Sequence, residues 1–242
     1  MQQPLVSIVV ASRRPAFVTD IVGMMAAQTY RHLELLLVLN LHTAADLPAE
    51  ARAALASIDA RVVQAPAAFT LGECLNAGIA ATRGELTAKV DDDDVYGPGY
   101  LEEAVEALLA GKGDVIGKTE QYVYLAATRE LMLWFPGASG NDGQEGSNFS
   151  GGTLLFPRRL GLDPGFQPLR IYEDITFLDS CAARGLRLYA TSRRHYVRRR
   201  LEQAHHTWHA ADAFFRERCL MVRRPVADDS PAGLIRLVSG RC

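Results

Sequence analysis

Four consecutive aspartates, Asp91, Asp92, Asp93 and Asp94, close the apolar stretch Leu86-Thr87-Ala88-Lys89-Val90. Adjacent carboxylates repel one another unless cations hold them, and a divalent metal is a compact counter-charge. On an extended chain side chains two apart point the same way, so Asp91 and Asp93 would share a ligand while Asp92 faces elsewhere. Hard oxygen donors of this kind suit Mg²⁺ or Mn²⁺, which take one or two protein carboxylates and complete their shell with water and phosphate oxygens. Phosphate chemistry is the reaction class this suggests. The plainer alternative is an acidic, solvated strand-to-helix joint, because Gly97-Pro98-Gly99 follows and Glu102 and Glu103 suit a helix's first turn.

A second acidic pair, Glu173-Asp174, precedes the apolar positions Ile175, Phe177, Leu178 and Cys181 of a helix that Gly185 ends. At a helix start the charged form of a carboxylate is favoured, which keeps it available to accept a proton at neutral pH; the alternative is that both acids only complement the helix dipole. Two basic runs stand out. Arg13-Arg14, with Ser12, directly follows the first apolar run and lies near where a nucleotide would bind; Arg193-Arg194-His195 with Arg198-Arg199-Arg200 could clamp a diphosphate, attract an anionic acceptor or touch a membrane surface, but fits a solvated strand or loop face better. Trp134 and Phe135 fit a core better than a sugar-stacking platform. His205 and His209, four apart, fit a solvated helix face or an adventitious zinc pair.

The elements that hold these residues alternate. Runs at 5–11, 33–39, 61–64 and 85–90 read as strands, and stretches from Pro15, at 47–58, around Leu71, Leu75 and Ile79, and at 101–109 read as helices. Four βα units with short joints predict an α/β fold with an open, mostly parallel sheet and helices on both faces, its ligands at the carboxyl ends of the strands. The second half is different: short strands at 115–118, 122–125, 131–135 and 153–156 surround a stretch at 136–152 rich in Gly, Asn, Asp and Ser, which suggests a substrate-facing loop or plain disorder. The expected organisation is a nucleotide-binding half over 1–113, a mixed acceptor-binding half over 114–222, and a tail at 223–242 without a pattern.

Composition sets outer bounds. A chain of 242 residues with net charge −2 has a core-forming length and no global drive toward nucleic acid. Its four cysteines lack metal-type spacing, and no apolar run of targeting or spanning length opens it, so a reduced, cytoplasmic protein is the expectation, with peripheral contact at a membrane's inner face left open.

These residues resemble family 2 glycosyltransferases. Pro4-Leu5-Val6-Ser7-Ile8-Val9-Val10, Gln28-Thr29-Tyr30, Asn76-Ala77-Gly78-Ile79-Ala80 with Arg83-Gly84-Glu85, the aspartate run in the place of the DxD motif, Gly151-Gly152-Thr153-Leu154-Leu155-Phe156, Glu173-Asp174 and His206-Thr207-Trp208 follow the family's order over about 4–210. The resemblance implies a GT-A fold with a Rossmann-like half, a nucleoside diphosphate sugar as donor, Mn²⁺ or Mg²⁺, inversion at the anomeric carbon, and a glycan or glycoconjugate acceptor in surface polysaccharide synthesis. By matching position it implies Asp93 as principal metal ligand, Asp91 on the metal or ribose, and Asp94 and Asp92 beside the donor. Asp174 would be the base, Glu173 its partner, His206 a further metal ligand, and Ser12, Arg13, Arg14, Asn40 and Asn76 donor contacts.

Two positions depart from the pattern. Asn40-Leu41-His42-Thr43 stands where Asp-Asp-Gly-Ser is usual, which leaves the donor base open, and Leu75 replaces an arginine common before the asparagine. Three rivals remain: a haloacid dehalogenase-like phosphohydrolase with Asp91 as nucleophile, a nucleotidyltransferase, and a non-catalytic sugar nucleotide binding module. The first would place its aspartates after the first core strand, and the second would show a glycine-rich loop where Ala11-Ser12-Arg13-Arg14-Pro15 stands.

Overall fold

A computed structural model describes residues 3–135, 149–201 and 210–239. The first half alternates as its hydrophobic pattern demands: β1 (Val6–Ser12), α1 (Val18–Ala26), β2 (Leu33–Asn40), α2 (Ala49–Ala56), β3 (Ala60–Ala65), α3 (Leu71–Ala80), β4 (Leu86–Val90), the short β5 (Val95–Tyr96) and α4 (Tyr100–Leu109). Then follow β6 (Val115–Gly117), β7 (Gln121–Leu125), β8 (Glu130–Trp134), β9 (Leu154–Pro157), α5 (Arg158–Leu162), α6 (Glu173–Ala183), β10 (Leu188–Ala190), β11 (Tyr196–Arg200), α7 (Asp212–Arg218), β12 (Cys219–Arg223) and α8 (Pro231–Val238).

The strands form two sheets. The larger has the order β10-β6-β9-β4-β1-β2-β3 and is parallel except for β9, which runs antiparallel between β4 and β6. The smaller is mixed, with the order β12-β8-β7-β11-β5. Central strands β1 and β2 are apolar on both sides because both faces are covered. Ile8, Val10, Leu35, Leu37 and Leu39 pack with Ile21, Val22 and Met25 of α1, while Val9, Leu36 and Val38 pack with Leu75 and Ile79 of α3. Each such buried aliphatic side chain contributes about 1.5–3 kcal/mol, which fixes the strand register against a one-residue slip.

Helix α3 is set by local chemistry. Thr70 and Glu73 form a reciprocal cap at its start. Gly78 lets it lie against the sheet, since a Cβ there would meet Val9 and Val38 side chains at 2.7 Å. The segment 223–242, patternless as sequence, supplies the last residue of β12 and then α8, whose Leu234 and Val238 join the core beside Tyr96 and Val197. Among the described residues no helix is long and apolar enough to cross a membrane.

Candidate active site

A cleft of about 1130 Å³ opens at the carboxyl ends of β1, β2 and β4, between them, the start of α6 and the smaller sheet. The fold brings Ser12, Arg13, Arg14, Asn40, the four aspartates, Glu173 and Asp174 to this one cleft. Asn76 is placed elsewhere: its amide donates to the Phe166 carbonyl (2.8 Å) and accepts from the Phe166 N–H (2.9 Å), bracing α3 against the chain after α5. His206 and most of the stretch 136–152 lie outside the described residues.

The aspartates do not alternate as on an extended strand, because the chain leaves strand geometry at Asp91 and turns at Asp92 and Asp93. Asp91 accepts from Lys89 Nζ at 2.9 Å, and its backbone N–H donates to the Tyr96 hydroxyl, which donates in turn to the Gly152 carbonyl at 2.8 Å. Buried Asp92 accepts from the Ser12 hydroxyl and from Arg14, whose Nη1 also donates to Asp93 at 2.9 Å. Arg14 therefore joins Asp92 to Asp93, and the protein itself supplies part of the counter-charge first expected of a metal. Asp94 accepts from the Tyr196 hydroxyl (2.5 Å) and the Arg199 N–H (3.0 Å). Burial and the neighbouring Asp93 charge push Asp92 up to about 6 and Asp94 up to about 7, against the pull of Arg14 on the first and of Arg198 on the second.

Opposite them α6 begins abruptly. Tyr172 enters it in the left-handed region, with φ of 69°, so that Glu173 turns inward and Asp174 faces the cleft. Burial drives Glu173 up to about 7 although Lys89 Nζ stands 3.6 Å away. Lys89 is itself buried, which alone would lower it, but Asp91, Glu173 and Asp174 outweigh burial and hold its ammonium form. Two glycines close the gap between the acidic groups. A Cβ on Gly151 would lie 2.1 Å from Asp174 Oδ2, and one on Gly152 would lie 2.8 Å from Asp91 Oδ2, so these carboxylates rest against consecutive residues.

The run Arg198-Arg199-Arg200, expected on a solvated face, instead lines this cleft from β11, with Arg199 and Arg200 buried. Sheet partners and Phe215, over which Arg200 stacks at 5.2 Å, cover it. Lys89 and Gln121 are further cleft residues that the sequence reading passed over; a lone lysine inside an apolar strand was the available signal for the first.

For a metal, the donor set is narrow. Among the described residues no group of three or more His, Cys, Asp or Glu side chains is arranged to hold one. Asp91 and Asp93 line the cleft as carboxylates, a donor type that suits Mg²⁺ or Mn²⁺ completed by phosphate oxygens and water.

An open, largely parallel sheet with a cleft at its strand ends and a mixed sheet beside it defines the GT-A class of fold. The sequence profile described as glycosyl transferase family 2 matches residues 7–161, and the chain belongs to that family. No curated protein matches it significantly in sequence. Among solved structures it is similar to S. aureus TarS 1-349 in complex with UDP-GlcNAc, with TM-score 0.64 and 18% identity over 81% of this chain and 59% of that one. It is also similar to the mannosyltransferase PcManGT from Pyrobaculum calidifontis in complex with GDP-Man and Mn²⁺, with TM-score 0.62 and 16% identity over 86% of this chain and 60% of that one. The chain thus spans about six-tenths of the length of these structures.

Proposed function

We propose that this protein transfers a sugar from a nucleoside diphosphate sugar to an acceptor hydroxyl, with Mn²⁺ or Mg²⁺ on Asp93 and Asp91 and with inversion at the anomeric carbon. The observation that carries the reading is the seating of Asp174 and Asp91 against the consecutive glycines Gly151 and Gly152, which supports a proton acceptor close to a carboxylate able to take a metal. The sugar nucleotides in the TarS and PcManGT structures, and the Mn²⁺ in the latter, support the same reading.

The ion, when bound, offsets the negative charge that grows on the departing diphosphate. Arg13 and Arg14 stand at the end of β1 to meet the diphosphate. Asn40 donates to the Pro66 carbonyl at 2.6 Å, which leaves its side-chain oxygen for a base edge. Asp174 takes the proton of the attacking hydroxyl, and Glu173, braced by Lys89, holds the start of α6 in place. The acceptor is a glycan or glycoconjugate, in keeping with the family's role in surface polysaccharide synthesis.

The test is a thermal-shift and turnover screen of uridine, guanosine, cytidine and thymidine diphosphate sugars with and without Mn²⁺. Asp93→Asn should weaken nucleotide and metal binding together, whereas Asp174→Asn should spare nucleotide binding and abolish transfer. Absence of manganese-dependent stabilisation by every sugar nucleotide would remove the reading, and intact transfer by the Asp174 variant would move the base elsewhere.

A further inference from the structure

The smaller sheet presents an unfinished polar group to the cleft. By strand register, Trp134 of β8, Gln121 of β7 and Tyr196 of β11 lie in one transverse row, since Gln121 pairs with Trp134 and the β7/β11 ladder begins one step on, at Tyr122 and Val197. Register partners share a face, so the three side chains stand abreast, with Arg198 one step behind on the same face. The guanidinium of Arg198 sits 6.0 Å over the Trp134 ring and donates to Ser150 Oγ at 2.7 Å. The Tyr196 hydroxyl is bonded to Ser150 and Asp94. Gln121 differs: it lines the cleft, is 2% exposed, and its side-chain oxygen has no hydrogen-bond partner among the described residues. Buried carboxamide oxygens are nearly always satisfied, and one left bare in a cleft wall is completed by whatever fills the cleft.

We infer that Gln121 reads a hydroxyl of the acceptor, and that the acceptor unit at this wall is a sugar. An inference of this kind rests on the glycosyl transfer proposed above and narrows its substrate. The missing partner must donate a hydrogen bond, as a sugar hydroxyl does, whereas the neighbouring indole is buried among Phe214, Phe215 and Arg198 and backs the wall. Its place assigns it to the acceptor. The row belongs to the smaller sheet, whereas the proposed donor contacts come from the ends of β1, β2 and β4. Ser150, to which Tyr196 and Arg198 are bonded, directly precedes Gly151, the seat of Asp174. A ring held against Gln121 therefore lies along the path to the base.

The experiment compares wild type with Gln121→Met, which keeps the side chain's length and removes its polar atoms. Each is titrated with methyl glycosides of glucose, galactose, mannose and N-acetylglucosamine, with and without UDP or GDP plus Mn²⁺. At least one glycoside should bind the wild type and bind the variant about tenfold more weakly, the loss expected for one hydrogen bond. Nucleotide affinity should stay within about twofold, and the melting temperature of the unliganded variant should be unchanged or higher, because no internal hydrogen bond is lost. Equal glycoside affinity in the two proteins, no glycoside binding by the wild type, or a lowered melting temperature would each overturn the inference. Failure of UDP and GDP to bind strikes the donor reading instead, since the glycoside titration without nucleotide stands by itself.

Discussion

Replacing Gly151 or Gly152 by alanine should separate the two halves of the proposed reaction. Neither glycine has a left-handed φ, so alanine adds no backbone strain and acts only through its Cβ. At position 151 that atom would stand 2.1 Å from Asp174 Oδ2, and reaching ordinary contact at about 3.4 Å moves the carboxylate by about 1.3 Å. A displacement of about 1 Å at a reacting group costs roughly a hundredfold in rate, or about 2.7 kcal/mol of barrier. The flexible aspartate yields before the fold does, so the loss falls on kcat, with nucleotide affinity kept. At position 152 the new atom would meet Asp91 Oδ2 at 2.8 Å and the Tyr96 hydroxyl at 2.9 Å. The smaller shift, about 0.6 Å, falls on the proposed metal ligand, and nucleotide affinity in Mn²⁺ should weaken about tenfold. Initial rates at saturating donor and calorimetric titration with nucleotide measure the two effects. A Gly151→Ala enzyme within about twofold of wild-type kcat, or equal losses of nucleotide affinity in both variants, would refute the reasoning.

Two further outcomes concern buried charge. Lys89→Met strands Glu173 and Asp91, and breaking such a buried pair should lower stability by about 3 kcal/mol in urea unfolding; addition of Glu173→Gln should restore part of it, and an unchanged urea midpoint would remove Lys89 from its assigned role. Glu34 is buried, which raises its pKa, but Ser7, Arg83 and Arg61 together hold it down to about 2 from an ordinary 4.5. Its folded value lies below its unfolded one, so its stabilisation is full above pH 4.5 and is lost as pH falls toward 2. Linkage gives up to about 3 kcal/mol, reduced to about 2 because both arginines are largely exposed. The stability gap between wild type and Glu34→Gln should narrow as pH falls from 4.5 toward 2, and a gap constant with pH would contradict this.

What the sequence discloses and what it hides divide by range. The strands at 33–39 and 85–90 were legible because burial on both faces writes a continuous apolar run into the chain. Asp91 to Asp94 and Glu173-Asp174 stood out because clustered acids are rare without a reason, and the fold brings both groups to one cleft. The role of Lys89 was not, since its partners Gly151 and Glu173 arrive from distant elements. Arg198 to Arg200 misled for the same cause: three arginines read as a wet surface, and only pairing with β7 and the packing of Phe215 make them a cleft wall. Asn76 braces α3 through Phe166, a partner ninety residues away that the sequence does not show. β5, two residues long, and α8, short and alone, carry too few positions for a period to show.

The charge arrangement bears on how a metal would enter. Asp92 and Asp94 are taken up by structure, one by Ser12 and Arg14, the other by Tyr196 and the Arg199 backbone. Asp91 meets Lys89 and Asp93 meets Arg14, each at 2.9 Å. A doubly charged ion arriving alone would have to stand among these cations and displace Arg14 from Asp93 without compensation. With a metal diphosphate, Arg14 would gain phosphate oxygens in exchange for a carboxylate. Lys89 has no such exchange to make, because Gly151 and Glu173 hold it in the wall. On the proposed reading, metal and nucleotide therefore bind as one unit, with Arg14 as the group that changes partner and Lys89 as the fixed charge that keeps Asp91 in place.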